Sequence, residues 1–407
     1  MLTGIRILDV SNYLSGPLAS LFLAGLGADV IKVERPQTGD PCRWNPPFAN
    51  QNQVSFERQA GKDLSLIFLK RNRNKKSITL NLQSLKGKEI FKELAQKVDV
   101  VLENFTPGVM DRLGLGYEVL KEKNPRLIYC SISGFGQTGP YNDLQAYDLV
   151  IQAMSGVMAI TGEEDGPPLR AGFLIGDQSS ALFAVIGILS AYIESRRTGK
   201  GRAVDISMQD CLFSMIMDDA WEMVLSQGLP LRTGNRVSRL APFSVYPSQD
   251  GYVVICTASD DQWLNLLKAM GREDLAENPQ YRQSASRVKN VKEVEALIKE
   301  WLKEKTAQTA IEILRRNRVP CSPVLEIQEV LNDPQLQHRK MITDLKHPVY
   351  GKVCGASGAG FPIKYSGIEL AYEKPAPLLG QDNEEIYSQF LEYDGEKLAQ
   401  LKKEGVI

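Results

Sequence analysis

The chain has 407 residues, too many for one typical domain and enough for two or three. Its 43% hydrophobic and 24% charged residues exclude a disordered or fibrous protein. With 48 Lys and Arg against 49 Asp and Glu the net charge is −1, which argues against a general nucleic-acid coat, a polybasic membrane anchor, or any partner of either kind.

Taken in order, the first 210 residues alternate short strand-like runs with helix-length segments. Strands are expected at Ile5–Val10, Val30–Glu34, Ser77–Leu82, Val98–Leu102 and Leu127–Ile132. The apolar stretch Gly16–Gly27, with Pro17 in its first turn, and the Leu85, Phe91, Leu94, Val98 spacing beyond Ser84 read as helices. This is the pattern of parallel strands covered by helices, an α/β fold. A long apolar helix follows Asp177 and stops at Gly199 and Gly201. Ala203–Ser207 then feeds another helix from about Gln209. The longest membrane-like run, Ala181–Ile193, is too short to span a bilayer and suits a buried helix. After Gly228 the composition shifts. A strand at Tyr252–Thr257, helices near Trp263–Met270, Val291–Glu304 and Thr306–Arg315, and a strand near Val319–Leu325 suggest a compact α+β unit. The tail carries a Gly-rich portion, Gly351–Gly360, and one polar helix from about Glu384.

Two histidines, His338 and His347, both late, weaken any mechanism built on a His base or a His-rich metal site, and no metal is expected. Cys42, Cys130, Cys211, Cys256, Cys321 and Cys354 form no CxxC pair and read as reduced. The opening MLTGIRILDV lacks a basic head and apolar run, so the expected location is the cytoplasm.

Several segments have competing readings. Gly134-Phe-Gly-Gln-Thr-Gly139 matches GxGxxG after a strand, but Pro140 and Asn142-Asp143 suggest a continuing loop, structural or substrate-lining, rather than a dinucleotide site. Lys70–Lys76 reads either as a solvated turn or as attraction for a phosphate-rich ligand, with Arg35 and Arg112 adding charge near other strand ends. Asp177 reads either as the cap of the long helix or as a nucleophile toward an activated acyl compound. Tyr147-Asp148 marks a loop-to-helix junction, a cap or a substrate contact, and Asp205 a strand position with a structural role or a local ion pair.

Gly4–Asp9, Gly16-Pro17, Leu26–Glu34, Asn74–Ser77, Glu103–Phe105, Pro107-Gly108, Asn124–Arg126, Gly134–Pro140, Gly176-Asp177, Thr198–Gly201 and Ser207–Asp210, in this order, resemble the class III CoA-transferases, the family of formyl-CoA transferase and carnitine CoA-transferase. The resemblance spans nearly the whole chain. It implies a Rossmann-like large domain with a smaller α+β domain, divided as 1–224, 225–328 and a returning tail 329–407, and an interlocked, ring-like homodimer. It implies reversible CoA transfer from an acyl-CoA to a carboxylic acid, with Asp177 as nucleophile and aspartyl anhydride and aspartyl-CoA thioester intermediates. CoA contacts carry over to Tyr13, Arg35, Leu80, Asn104, Phe105, Arg112 and Tyr147, with Gln145 replacing a basic residue of the family. Leu14 stands where formyl-CoA transferase has a substrate-site glutamine and offers no hydrogen-bonding group, which points to a different, less polar acid. Arg236 and Arg239 are candidate contacts to the acceptor carboxylate or solvent-facing charges. A noncatalytic acyl-CoA-binding protein is the alternative. A racemase of the same broad family is disfavoured by the missing central histidine.

Overall fold

The computed structural model describes residues 1–407. One compact unit comprises Met1–Val157, Arg170–Asp219 and Pro334–Ile407, and a second comprises Met158–Leu169 and Ala220–Asp333. The first is built on a six-stranded, wholly parallel sheet. Its strands are β1 (Arg6–Asp9), β2 (Asp29–Glu34), β3 (Lys75–Thr79), β4 (Val100–Glu103), β5 (Ile128–Ser133) and β6 (Ala203–Ser207). They lie in the order β3-β2-β1-β4-β5-β6.

The central strands carry apolar residues on both faces, as in Ile7-Leu8, Val30-Ile31 and Val100-Val101, because both faces of the sheet are covered. Ile7, Val30 and Val100 face helix α1 (Ser15–Gly25) and the long helix Ile175–Thr198, with Ala19, Leu23, Ala181, Ala184 and Ile188 between. Their neighbours Leu8, Ile31 and Val101 point the other way, onto Ile90, Phe91 and Leu94 of the helix Leu85–Ala95. That helix starts where expected, the Ser84 hydroxyl accepting the Gly87 N–H at 2.9 Å.

The expected strand Ser77–Leu82 begins earlier and ends earlier, because Lys75 is buried in the sheet against a carboxylate instead of lying in a solvated turn. The polar tail helix is two helices, Asn383–Leu391 and Gly395–Lys403, broken at Glu392, where φ is 58°. Ile386, Tyr387, Phe390 and Leu401 complete the core on this face. Asp382 and Asn383 accept the Ser77 and Thr79 N–H groups at 2.7 and 2.8 Å, covering the open edge of β3. The Gly-rich segment is a strand, Gly351–Ala359, paired antiparallel with Ile342–His347.

The helix Ile175–Thr198 is longer than its apolar run and closes at Gly199, whose φ of 73° favours glycine. By length and composition it could cross a membrane, yet one face packs on the sheet. The expected buried helix is therefore only half right: Leu182, Phe183, Ile186 and Ile193 are exposed.

The second unit carries a three-stranded antiparallel sheet, Phe243–Pro247, Tyr252–Cys256 and Cys321–Pro323. Trp263, Leu266, Leu267, Val294, Ile298, Leu302, Ala310 and Leu314 from three helices form its core.

Gly16 has no room for a side chain, since a Cβ there would lie 2.2 Å from the Ser11 Cβ. Gly16→Ala should destabilise the fold by about 1–3 kcal/mol, read as a lower urea midpoint with an unchanged m-value.

Candidate active site

The strand order reverses at β1, so a crevice opens beyond the carboxyl ends of β1 and β4, the place where open α/β sheets take ligands. Two loops line it. After β1 the chain crosses 10–15 into α1; after β4 it turns at Asn104-Phe105. The Asn104 amide joins them: its Oδ1 accepts the Asn12 N–H at 2.8 Å, and its Nδ2 donates to the Asn12 carbonyl at 2.8 Å and the Ser15 hydroxyl at 3.1 Å. Glu103 fixes the second turn by accepting the Phe105 N–H at 2.7 Å, and burial pushes its carboxyl up to about 7.

Beneath the first loop lies a cage of buried charges. Lys32 donates to the Ser11 carbonyl at 2.7 Å and pairs with Asp40 at 3.0 Å. Asp40 in turn accepts the Tyr13 and Cys42 N–H groups at 3.2 and 2.8 Å. Asp9 accepts from Ser11, from the Ser20 hydroxyl at 2.5 Å and from Lys75 at 3.2 Å. Lys75 also donates to the Pro17 carbonyl and to Asn72, both at 2.8 Å. Burial alone would raise the Asp9 carboxyl, but Lys75 and Lys32 outweigh it and hold it down at about 2. The basic run is thus not a solvated turn. Arg73 is buried over the Tyr372 ring, Lys75 is in the cage, and Lys76 pairs with Glu385 and Asp29.

Asp177 sits in the first turn of the long helix, not at its cap. The residue preceding that helix is Leu174, and the capping carboxylate comes from elsewhere. Asp148, buried at the start of the helix Asp148–Met154, accepts the Gly176 N–H at 2.7 Å and the Asp177 N–H at 3.2 Å, and is itself held by Gln152 at 2.5 Å. The Asp177 side chain is left free to receive hydrogen bonds from the Ser15 hydroxyl and backbone N–H. Burial and the Asp148 charge raise its carboxyl to about 6, against the opposing pull of Arg71 and Ser15.

Asp177 opens onto a cavity of about 630 Å³ that Tyr13, Leu14, Ser15, Arg71, Asn104, Phe105, Gly134, Gln145, Tyr147, Asp148 and Met208 help line. A neighbouring cavity of about 620 Å³ is lined by Arg35, Leu80 and Phe105, and Asn12 and Phe105 line both. Of the residues singled out from sequence, Tyr13, Leu14, Asn104, Phe105, Tyr147 and Asp177 share the first cavity, and Arg35, Leu80 and Phe105 the second. Arg112 is exposed on the turn Val109–Arg112, whose Val109 borders the second cavity. Arg236 and Arg239 belong to the second unit, where Arg236 pairs with Glu164 at 2.9 Å. Neither histidine lines either cavity. The glycine loop stays a loop, with Gly136 and Gly139 at φ 86° and 101°, and Asp205 accepts the Gln137 N–H at 3.0 Å within it.

Residues 2–383 match CoA-transferase family III. The chain belongs to that family. It is 35% identical over 407 residues to the succinyl-CoA:glutarate CoA-transferase of Homo sapiens, covering 100% of this chain and 90% of the relative. It is 36% identical to the formyl-CoA:oxalate CoA-transferase of Streptomyces coelicolor, covering 100% and 99%. A crystal structure of a CAIB/BAIF family protein from Brucella suis superposes with a TM-score of 0.81 at 35% identity, covering 96% of this chain and 99% of that one. The protein is therefore an enzyme, a CoA-transferase acting on acyl-CoA and carboxylate substrates.

In this CoA-transferase the sequence reading left Asp148 undecided between cap and substrate contact and did not single out Ser15 or Arg71. No local pattern marks a carboxylate that caps a helix 28 residues further along the chain. The pH behaviour follows from these contacts. For any chemistry that needs the Asp177 carboxylate ionised, kcat/KM should fall as pH drops through about 6, tenfold per pH unit well below it. Asp148→Asn removes the neighbouring charge and should move that limb to lower pH. The folded-state value lies above 3.8, so ionisation of Asp177 costs stability, absent at pH well below 3.8 and fully present above about 6. Asp177→Asn should therefore raise the urea midpoint at pH 8 relative to the parent, and leave it nearer the parent's at low pH.

Proposed function

We propose that the Asp177 carboxylate carries CoA between two acids through covalent intermediates. The observation that carries this reading is its place: a partly desolvated carboxylate, held by two Ser15 donors, lining a cavity with no histidine to act as a base. One carboxylate oxygen attacks the acyl-CoA thioester carbonyl, the C–S bond breaks and CoA leaves as thiolate. The thiolate attacks the aspartyl carbonyl of the mixed anhydride, the donor acid departs as carboxylate, and an aspartyl-CoA thioester remains. The acceptor carboxylate attacks that thioester, expels thiolate and forms a second anhydride. Attack of the thiolate on the acceptor's acyl carbon yields the new acyl-CoA and restores Asp177. No step needs net proton transfer, which fits a site without a histidine. Covalent storage keeps the thioester energy from loss to water.

CoA would lie across both cavities, with Arg35 and Arg112 toward the phosphates, Leu80 and Phe105 against the adenine, and Asn104, Tyr13 and Tyr147 along the pantetheine toward Asp177. Shared lining by Asn12 and Phe105 supports one continuous ligand. The relatives are named for succinyl-CoA and glutarate and for formyl-CoA and oxalate, so carboxylic acids are the substrate class here too. We place the reaction in the cytoplasm.

The same reading includes an interlocked homodimer. Leu182, Phe183, Ile186 and Ile193 of the long helix, with Leu149, Val150 and Met154 beside Asp148 and Phe213 and Met215 further on, are large apolar side chains left exposed, the kind of surface that marks an interaction site when it is contiguous. A second copy would cover it.

Asp177→Ala should abolish CoA exchange while retaining the fold, measured by mass spectrometry of new acyl-CoAs. Hydroxylamine should trap a protein acyl species in the parent and none in the variant; exchange at an unchanged rate would remove Asp177 as nucleophile. Retained CoA binding with no exchange in the parent would favour a binding protein instead. Sedimentation should give a dimer at micromolar concentration, and two differently tagged preparations should form no mixed dimer unless unfolded together.

A further inference from the structure

Of the basic run 70–76, one side chain enters the cavity of Asp177. Arg71 ends the short helix Leu66–Arg71 and lines that cavity, not the neighbouring one with Arg35 and Leu80. Its Nη1 donates to the Tyr13 carbonyl at 2.9 Å and approaches the Cys42 Sγ at 3.7 Å. Tyr13 itself sits at φ 64°, a conformation costly for a non-glycine residue and held by Asp40 behind it. The guanidinium is therefore anchored through one nitrogen. Its Nε and Nη2 make no hydrogen bond within the chain and no carboxylate lies within salt-bridge distance, though its charge acts on Asp177, whereas Arg43, Arg73 and Lys75 nearby are all engaged.

We propose that Arg71 selects dicarboxylic substrates by binding the carboxylate that does not react. This rests on the transferase reading above and names its substrate class. A guanidinium with a free two-nitrogen edge matches a carboxylate bidentately. An apolar acyl chain filling the same cavity would strip water from that edge and give nothing back. The positive charge stands on the Asp177 side of the ligand path, away from the phosphate end, so its anion belongs to the acyl group and not to CoA. Ile67, Ile132, Phe135, Leu144 and Met208 line the same cavity and suit the methylene chain between the two carboxyl groups. The less polar acid suggested by Leu14 gives way on this account: Leu14 removes one polar contact, but Arg71 supplies a charge.

The test compares glutarate with valerate, and succinate with butyrate, as acceptors from one common acyl-CoA donor. The parent should favour each dicarboxylic acid over its monocarboxylic match by at least about tenfold in kcat/KM. Arg71→Gln should erase that preference, lowering the ratio by about 10- to 100-fold, the range of a charged hydrogen-bonded contact. Arg71→Lys, which keeps the charge without the fork, should retain part of it. CoA affinity by calorimetry checks that each variant is folded. Exchange by the parent without any dicarboxylic preference overturns the proposal. So does an equal loss for both acid classes in Arg71→Gln, which would make Arg71 a support for Tyr13 and Asp177 alone. Absence of exchange with every acid would sink the transferase reading itself.

Discussion

Two lysines buried under a loop hold this site together. Lys32 and Lys75 lie inside a parallel sheet, where a lone ammonium would cost several kcal/mol. Asp9, Asp40, Asn72 and the carbonyls of Ser11 and Pro17 complete their coordination. Such a cage is fully satisfied or strongly unfavourable, because removing one partner leaves an uncompensated charge at about 3–5 kcal/mol. It therefore permits one course for the chain from Val10 to Ser15. Every functional contact hangs from that course: Asn104 clamps Asn12, Arg71 rests on the Tyr13 carbonyl, and Ser15 reaches Asp177. Burial pulls the Lys75 ammonium down to about 8, with Asp9 opposing, so Lys75 gives up its proton at lower pH than a free lysine does.

The charge state of Asp177 comes from opposed influences on one helix end. The amino terminus of a long helix favours negative charge by roughly 0.3–1 kcal/mol. Here Asp148 takes up the first free N–H groups, so the side chain of Asp177 does not close on its own helix. Burial and the Asp148 charge then raise its carboxyl, while Ser15 and Arg71 stop it from becoming a neutral acid at physiological pH. The result is a carboxylate that is ionised at neutral pH and less stabilised than one in water, which suits the nucleophilic role proposed for it.

The sheet and the long helix divide the remaining tasks. The inner face of the helix closes the core over Ile7, Val30 and Val100; its first turn presents Asp177; its outer face stays apolar and uncovered. Core packing and the Asp177 site thus meet on one 24-residue element. This explains how a segment with the length and composition of a membrane span serves in an α/β sheet protein.

The sequence by itself determined the parallel α/β plan, because two-sided burial leaves a readable signal in runs such as Ile5–Val10 and Val30–Glu34, and because caps such as Ser84 and stops such as Gly199 act locally. It also marked Asp177, and the family resemblance added Tyr13, Leu14, Arg35, Leu80, Asn104, Phe105 and Tyr147, all of which line one or both cavities. It did not reveal that Lys75 is interior, that Asp148 caps a distant helix, or that Arg71 alone of the basic run lines the cavity of Asp177. Those facts depend on pairings between residues 28 to 66 positions apart, such as Gly176 with Asp148 and Lys75 with Asp9. Charge and polarity read along a chain describe a residue's own needs. Only the folded structure decides which neighbours meet them.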